Sequence, residues 1–282
     1  MDYTEAVQMA NDLKLTNIRH FDLDQTLDCG QAFRYEKFES GYKGIANGRR
    51  IELVHKGSDL VLKDVNISEF DSTWKEYFDL QRNYDMIRGH LAQHGGAPMK
   101  LALDFSPGLR HMRQDPWEML ISFILSQNTN IPRIKTMIRR LCESFGDKLS
   151  CGGYMFPTYN KLAELSTDDL AVIKSGYRAK FVTYAARFAA SGGFDRIELQ
   201  QMNTPKLRGR LLQIYGVGPK VADCVLLFGF GRIEVCPKDV WIKRALERFY
   251  PKGFPDELLP FAGIAQQFLF HYIRNSGDEN NL

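Results

Sequence analysis

The stretch LLQIYGVGPKVADCVLLFGFGRIEVCPKDVW, residues 211–241, decides how the rest of the chain is interpreted. Before it, Thr204 and Pro205 predict the start of a helix, because a hydroxyl cap followed by proline is typical of a helix N-terminus. Gly216 and Gly218 then interrupt the apolar pattern, which resumes directly after them. The sequence therefore predicts a helix, a glycine hairpin and a second helix.

The predicted hairpin is suited to binding phosphate. Glycines let a backbone approach another molecule closely, and the N–H groups at the start of the second helix point in one direction. Residues 201–250 contain nine Lys/Arg and four Asp/Glu, whereas the formal net charge of the whole chain is only +3. This local excess indicates nucleic-acid binding. A solvated helical surface would explain it about as often.

Three side chains of this stretch could carry chemistry. Lys220 lies in the first turn of the second helix, where the helix dipole and apolar neighbours favour the neutral amine, which is a nucleophile. Cys224 follows one turn later and projects from the same face. Asp239 is predicted to cap the next helix, where the dipole keeps a carboxylate ionised. Together with the hairpin, they indicate a DNA enzyme that attacks a sugar carbon.

The motifs GVGPKVADC and CPKDVW resemble those of the helix-hairpin-helix, Gly/Pro-rich loop, Asp (HhH-GPD) superfamily of base-excision DNA glycosylases. More narrowly, residues 30–270 resemble the 8-oxoguanine DNA glycosylase/lyases. The resemblance implies that Lys220 attacks C1′ of the damaged nucleotide and forms a Schiff base. Asp239 would stabilise positive charge on the sugar, and β-elimination at the 3′ phosphate would follow. The implied substrate is 8-oxoguanine, preferably opposite cytosine.

The resemblance also implies a pocket for the damaged base. The carbonyl of Gly30 would accept the N7 hydrogen that oxidised guanine has and guanine lacks. Phe270 and Cys224 would enclose the base from its two faces, and Gln266 would read its Watson-Crick edge. Without the resemblance, a turn glycine, a core cysteine and ordinary helix packing are the simpler interpretations of these residues.

A second group is implied to bind the opposite strand. Asn128, Arg133 and Arg178 would hold the cytosine left unpaired, and Tyr177 would fill the gap beside it. The chemistry is consistent, because arginine and asparagine donate hydrogen bonds to base edges and a ring can replace a flipped nucleotide. From the residues alone, SQNTNIPRI is an ordinary polar break after a helix.

Two positions depart from the family pattern, and a cation site is implied by the resemblance alone. Tyr215 stands before GVG where the best-known relatives have proline, and Trp241 stands where they have a histidine near the DNA backbone. These changes affect the predicted phosphate contacts of Gly216, Gly218 and Trp241. Family hairpins also bind Na⁺ or K⁺ through main-chain carbonyls. Here those carbonyls would belong to Leu212, Ile214 and Val217.

The cysteines predict no required cofactor. The five cysteines show no CxxC or repeated spacing, so neither a disulfide framework nor a zinc site is indicated. No cysteine follows Cys236, whereas endonuclease-III-like relatives carry an iron-sulfur cluster after the aspartate. The N-terminus lacks a signal-peptide pattern, and no apolar run approaches ~20 residues. We therefore expect a cytoplasmic monomer that acts on double-stranded DNA, with no membrane contact, associated with the nucleoid if bacterial.

The expected fold is α+β. Residues 1–97 are predicted to form an antiparallel sheet domain, with strands AFRYEKF, YKGIA, RIELVHK and DLVLK between residues 32 and 63 and a following helix capped by Ser68. Residues 98–274 are predicted to form a helical glycosylase core that contains the helix-hairpin-helix at about 205–230. Residues 275–282 are predicted to be a polar tail.

Two other functions fit part of the sequence. A monofunctional alkylated-base glycosylase would keep Asp239 and use water as the nucleophile, but it leaves Lys220 without a role. A non-catalytic helix-hairpin-helix protein would bind DNA without lesion preference and with a steep dependence on salt. It leaves Lys220, Asp239 and the pair Gln266 and Phe270 unexplained.

Overall fold

The computed structural model describes residues 2–276, and its first part is a six-stranded antiparallel sheet in the order β1-β2-β6-β5-β4-β3. Asn47 and Gly48 have positive φ at the tight turn between the fourth and fifth strands, as a two-residue hairpin requires. The strands are β1 Glu5–Gln8, β2 Leu13–Thr16, β3 Tyr35–Phe38, β4 Gly41–Ala46, β5 Arg49–Lys56 and β6 Asp59–Lys63.

The predicted α+β class and the four-stranded meander are confirmed, with two corrections. The first predicted strand begins at Tyr35 rather than at residue 32. The prediction also missed β1 and β2, which have four residues each and are too short for alternation to distinguish them from loop. Leu13 and Leu15 of β2 are fully buried because β2 pairs with β6 and extends the sheet.

Fourteen α-helices lie within the described residues. Two predicted caps are wrong by one or two positions, because an asparagine precedes each predicted residue and caps instead. Asn66 accepts from the N–H of Glu69, and Asn203 accepts from the N–H of Lys206. The helices are α1 Leu23–Leu27, α2 Ile67–Glu69, α3 Lys75–Tyr77, α4 Tyr84–His94, α5 Gly96–Phe105, α6 Pro116–Leu125, α7 Ile131–Phe145, α8 Tyr159–Ala163, α9 Ala179–Phe188, α10 Arg196–Gln201, α11 Thr204–Leu212, α12 Pro219–Phe228, α13 Val240–Phe249 and α14 Ala262–Asn275.

Short helices of other types complete the chain. They are the π-helical turns Phe70–Trp74 and Ala189–Gly193 and the 3₁₀ turns Asp169–Ile173, Gly176–Arg178 and Asp256–Phe261. None of the helices between residues 2 and 276 has the length and hydropathy needed to cross a bilayer. The predicted polar tail falls almost entirely on residues 277–282, which lie outside the described part of the chain.

The buried apolar side chains form three clusters. One lies between the sheet and the helical segment around Trp74, and the largest joins α6, α7, α9, α11 and α12. The third joins α4 and α5 to α13 and α14. The predicted domain boundary at residue 97 falls in the first turn of α5, and α4 and α5 on its two sides both belong to this third cluster. The division at that residue stays a prediction.

Candidate active site

A cavity of about 880 Å³ gathers predicted site residues from distant parts of the chain. Its walls come from the ends of α6 and α14 and from the beginnings of α7, α12 and α13. Eight of the predicted residues line it, namely Gly30, Asn128, Tyr177, Gly218, Lys220, Asp239, Trp241 and Phe270. A nucleophile, a carboxylate and a predicted base-stacking ring thus share one cavity.

The half-buried side chain of Lys220 is held against the end of α6. Its Nζ lies 3.5 Å from the hydroxyl oxygen of Ser126 and 5.0 Å from the ring centroid of Phe123. The Ser126 hydroxyl donates to the Phe123 carbonyl at 2.8 Å, so its oxygen is free to accept from the amine. Sequence reasoning missed both partners, because they lie more than 90 residues away along the chain.

Cys224 lies one turn beyond Lys220 on α12, as predicted, and is buried. Burial raises the pKa of its thiol to about 11, and the positive charge of Lys220 opposes that rise. The residue is therefore a neutral thiol near pH 7, suited to packing against an uncharged surface. Its predicted contact with the damaged base stays a prediction.

Asp239 caps α13, which confirms the predicted local structure. Its Oδ1 accepts a hydrogen bond from the N–H of Ile242 at 2.8 Å, and the positive end of the helix dipole favours the carboxylate there. The side chain is half-buried and lines the same cavity as Lys220. A negative charge is therefore held at the wall of the cavity that contains the amine.

Gly30 forms another part of the wall, in a backbone conformation that favours glycine. Its φ is +86°, and a Cβ there would lie 3.1 Å from Cδ1 of Ile131 and 3.7 Å from Cε1 of Phe270. The ring of Phe270 is covered by the guanidinium of Arg274, at 5.2 Å. The backbone at residue 30 can therefore approach a ligand in the cavity closely.

Gln266 lies one turn before Phe270 on α14 but is buried. Its side-chain oxygen accepts a hydrogen bond from the amide of Gln267 at 3.1 Å. Gln266 is not among the residues that line the cavity. Hydrogen bonding of Gln266 to the Watson-Crick edge of the damaged base stays a prediction.

The residues predicted to bind the opposite strand differ in exposure and in whether they line the cavity. Asn128 is exposed at the cavity with a φ of +48°, and Tyr177 is 49% exposed beside it. Arg133 is exposed on α7 and does not line the cavity. Buried Arg178 donates to the carbonyls of Gln127 and Asn128. It holds the turn that carries Asn128, and its contact with cytosine stays a prediction.

The two hairpin glycines differ in what they require. Gly216 has a φ of +90°, and a Cβ there would lie 2.3 Å from Cγ of Phe181. Gly218 caps α12 with an ordinary φ of −91°, and a Cβ there would meet nothing within 4 Å. Only Gly216 therefore needs the left-handed conformation, whereas Gly218 faces open space. Gln127, which the sequence analysis missed, donates to the Gly216 carbonyl at 3.1 Å.

The cation site stays a prediction. Of its three carbonyls, that of Ile214 accepts a hydrogen bond from the N–H of Val217 at 2.9 Å, which closes the hairpin turn. Carbonyl oxygens have two lone pairs, so this bond leaves acceptor capacity. Within residues 2–276, no three His, Cys, Asp or Glu side chains converge as a metal-binding group.

Further basic residues line the cavity that were not singled out from the sequence. Lys238, Lys243 and Arg274 lie on its wall, and the first two belong to the basic excess at residues 201–250. The ring of Trp241 lies 5.9 Å from the guanidinium of Arg244. The wall of the cavity thus carries an excess of positive charge, which favours binding of a polyanion.

Two family models match consecutive parts of the chain. Residues 14–120 match the 8-oxoguanine DNA glycosylase N-terminal domain, and residues 121–254 match the HhH-GPD superfamily of base excision DNA repair proteins. The fold and the site thus define a DNA repair protein of the helix-hairpin-helix class.

Individual relatives narrow the class. The 8-oxoguanine glycosylase/lyase of Clostridium acetobutylicum, solved with double-stranded DNA containing cytosine opposite 8-oxoguanine, is 35% identical over 100% of both chains, with a TM-score of 0.91. A probable N-glycosylase/DNA lyase of Methanothermobacter thermautotrophicus is 31% identical over 64% of this chain and 68% of its own. The N-glycosylase/DNA lyase of Saccharomyces cerevisiae is 37% identical over 62% of this chain and 50% of its own. This chain belongs to the 8-oxoguanine N-glycosylase/DNA lyase family.

Proposed function

We propose that the protein is a bifunctional DNA glycosylase and AP lyase that excises 8-oxoguanine, preferably opposite cytosine. The observation that carries the proposal is the shared cavity, in which Lys220 and Asp239 line the wall together with Gly30 and Phe270. An amine alone could serve many functions. Here the amine shares a space large enough for a nucleotide with a carboxylate and an aromatic ring, and an open hairpin lies beside that space. This combination fits the removal of a base from DNA.

The base must leave the duplex before it can react, because C1′ is not accessible within the stack. In the cavity, the nitrogen of Lys220 attacks C1′ and the bond between C1′ and the base breaks, with its electron pair leaving on the base. The carboxylate of Asp239 stabilises the positive charge that develops on the sugar. The C1′–O4′ bond then breaks and O4′ takes up a proton from the lysine nitrogen, which gives a Schiff base between Lys220 and C1′. Loss of a proton from C2′ then breaks the bond between C3′ and the 3′ phosphate, which leaves with the electron pair.

Recognition depends on the backbone at Gly30. Its carbonyl would accept the hydrogen on N7 of 8-oxoguanine, and guanine has no hydrogen there to donate. A buried carbonyl left without a partner costs about 1 to 3 kcal/mol, which discriminates between two bases of nearly identical shape. The positive φ of Gly30 and the tight space for a Cβ beside Ile131 support this role, since a glycine leaves only the main chain to face the base.

The remaining parts of the site follow from this function. The open space at Gly218 would admit a phosphate next to the main chain at the start of α12. The carbonyls of Leu212, Ile214 and Val217 would hold Na⁺ or K⁺, which would add positive charge near that phosphate. No zinc or iron-sulfur cluster is needed. The protein would act as a monomer on double-stranded DNA in the cytoplasm, at the nucleoid in a bacterial source.

Borohydride trapping tests the mechanism and the substrate together. The reagent reduces a Schiff base and leaves protein and DNA covalently joined. We expect the complex on a duplex with 8-oxoguanine opposite cytosine, and none on undamaged or 3-methyladenine duplexes. Lys220→Gln should abolish the complex, whereas Lys100→Gln, which changes an exposed lysine of α5, should not.

The other outcomes of this experiment separate the alternatives. Equal trapping by Lys220→Gln would contradict the assignment of the nucleophile. Free base released without a trapped complex, above all 3-methyladenine, would point to a glycosylase that uses water. Binding to all three duplexes without either product would leave a non-catalytic DNA-binding protein.

A further inference from the structure

Four aromatic rings form a continuous strip that begins at the cavity and includes Tyr215 of the hairpin. Tyr177 contacts Phe181 with a centroid distance of 5.8 Å, and Phe181 contacts Tyr215 at 5.1 Å. Tyr215 contacts Tyr184 at 5.5 Å, and all three pairs are edge-to-face. Tyr177 lines the cavity, and the Gly216 backbone packs against Phe181. The strip is therefore continuous with two parts of the proposed DNA site.

The three tyrosines of this strip remain open to solvent. Tyr177 is 49% exposed, Tyr184 is 45% exposed and Tyr215 is 51% exposed. Single exposed apolar residues are normal on a protein surface, but a contiguous exposed aromatic patch marks a binding surface. Edge-to-face packing leaves part of each ring available for a further contact.

The strip lies in a strongly basic part of the surface. Lys180 Nζ is 5.3 Å from the ring centroid of Phe181 and 5.8 Å from that of Tyr215. Segments 170–194 and 204–222 contain eight Lys/Arg and no Asp/Glu, although Asp223 pairs with one of the arginines. Aromatic rings among cations are the surface that suits a single strand of nucleic acid, because rings stack on bases and cations attract phosphates.

The geometry points to a platform for unpaired nucleotides, in which the exposed rings of Tyr184 and Tyr215 stack on bases of a single strand of DNA that continues from the cavity. Bases within a duplex already stack on one another and present no free face to a ring. Beside an extruded nucleotide, the strand is already unstacked at the wedge predicted for Tyr177. The location of this unpaired DNA rests on the proposed function, but the binding chemistry does not.

The test measures binding to DNA without any lesion, so it is independent of base release. Fluorescence anisotropy gives the dissociation constants for a labelled single strand of about 20 thymidines and for a blunt, undamaged duplex of the same length. The double variant Tyr184→Ala/Tyr215→Ala should bind the single strand at least about fivefold more weakly, which is the lower end of the effect of one lost base-stacking contact. Its affinity for the duplex should change less than about twofold.

Two controls keep the test decisive. The double variant Tyr184→Phe/Tyr215→Phe keeps both rings and should retain the affinity of the wild type for the single strand. Met86→Ala removes an exposed apolar side chain from α4, outside the strip, and should change neither constant. Thermal unfolding of each variant checks that the fold is intact.

The proposal is overturned if the wild-type protein does not bind the single strand. It is also overturned if the alanine variant binds the single strand as well as the wild type, or if it loses single strand and duplex equally. Base release from the 8-oxoguanine duplex is measured separately on the same variants. Absence of that release in the wild type would contradict the proposed function and leave the binding result unaffected.

Discussion

Alanine at the two hairpin glycines should separate folding from DNA binding. Gly216→Ala places a Cβ 2.3 Å from Cγ of Phe181, at a φ of +90°. The left-handed conformation costs an alanine about 1 to 2 kcal/mol, and relieving the overlap with the ring costs about 1 to 3 kcal/mol more. We therefore expect Gly216→Ala to lose roughly 2 to 5 kcal/mol of unfolding free energy.

Gly218→Ala should give the opposite result. The φ of −91° suits alanine, and the new Cβ meets nothing within 4 Å. Alanine is a poorer N-cap than glycine but loses less entropy on folding, so the unfolding free energy should change by less than about 1 kcal/mol. If a phosphate approaches the main chain here, the methyl group will displace it, and DNA affinity should fall by about tenfold or more, equivalent to roughly 1.4 kcal/mol.

Urea unfolding measures the stability of both variants, and fluorescence anisotropy with an undamaged duplex at fixed salt measures binding. Binding should be measured over several salt concentrations, because a lost phosphate contact reduces the slope of log K against log salt. A Gly216→Ala protein as stable as the wild type would refute the argument from backbone conformation. A Gly218→Ala protein with unchanged affinity and salt slope would refute the close approach of phosphate.

Three other predictions concern charge. Burial lowers the pKa of His111 to about 4, so stability present above about pH 6.5 is lost as the pH falls, because the unfolded chain binds the extra proton. Urea unfolding should show a loss of about 2 to 3 kcal/mol by about pH 4.5, and His111→Leu should remove this loss. The same loss of stability between about pH 6.5 and about pH 4.5 in His111→Leu would contradict the prediction. Arg110→Met leaves the buried carboxylate of Asp2 without its cationic partner, although the N–H of Tyr84 still donates to it. The variant should lose about 3 to 5 kcal/mol of unfolding free energy, with base release per folded molecule unchanged. A loss below about 1 kcal/mol in urea unfolding would count against this prediction. Asp239→Asn should keep the helix cap and the melting temperature but lose base release in a single-turnover assay. Asp239→Ala should lose base release and also about 1 kcal/mol of unfolding free energy. Full activity of Asp239→Asn would show that the charge of Asp239 is not needed.

Features that depend on neighbours in the chain could be predicted. The cap at Asp239 and the turn of helix that separates Lys220 from Cys224 depend on contacts three or four residues apart, which the sequence displays directly. The meander between residues 35 and 63 was predictable for the same reason, since its turns and alternating strands are local. The caps at Asn66 and Asn203 were missed because a residue of similar capping ability, Ser68 or Thr204, follows each asparagine within two positions.

Features that depend on distant segments could not be predicted from the pattern. Ser126 reaches Lys220 only because α6 packs on α12, where the rings of Phe123 and Phe228 stack at 5.5 Å. Similarly, β2 joins the sheet through β6, which follows it by more than 40 residues. No periodicity records such pairings, since each segment satisfies its own local pattern whichever partner it finds.

By itself, the sequence determined the helix-hairpin-helix, the positions of Lys220 and Asp239 at helix N-termini, and, through its motifs, the family. Helix starts and turns are set by local hydrogen bonding and by the φ preferences of glycine and proline, which each residue carries with it. Tertiary structure alone decided that Gly30 lies beside Phe270 at the wall of one cavity and that only Gly216 of the two hairpin glycines is sterically required. Both depend on which atoms packing brings within a few ångströms, and that is a property of the folded chain as a whole.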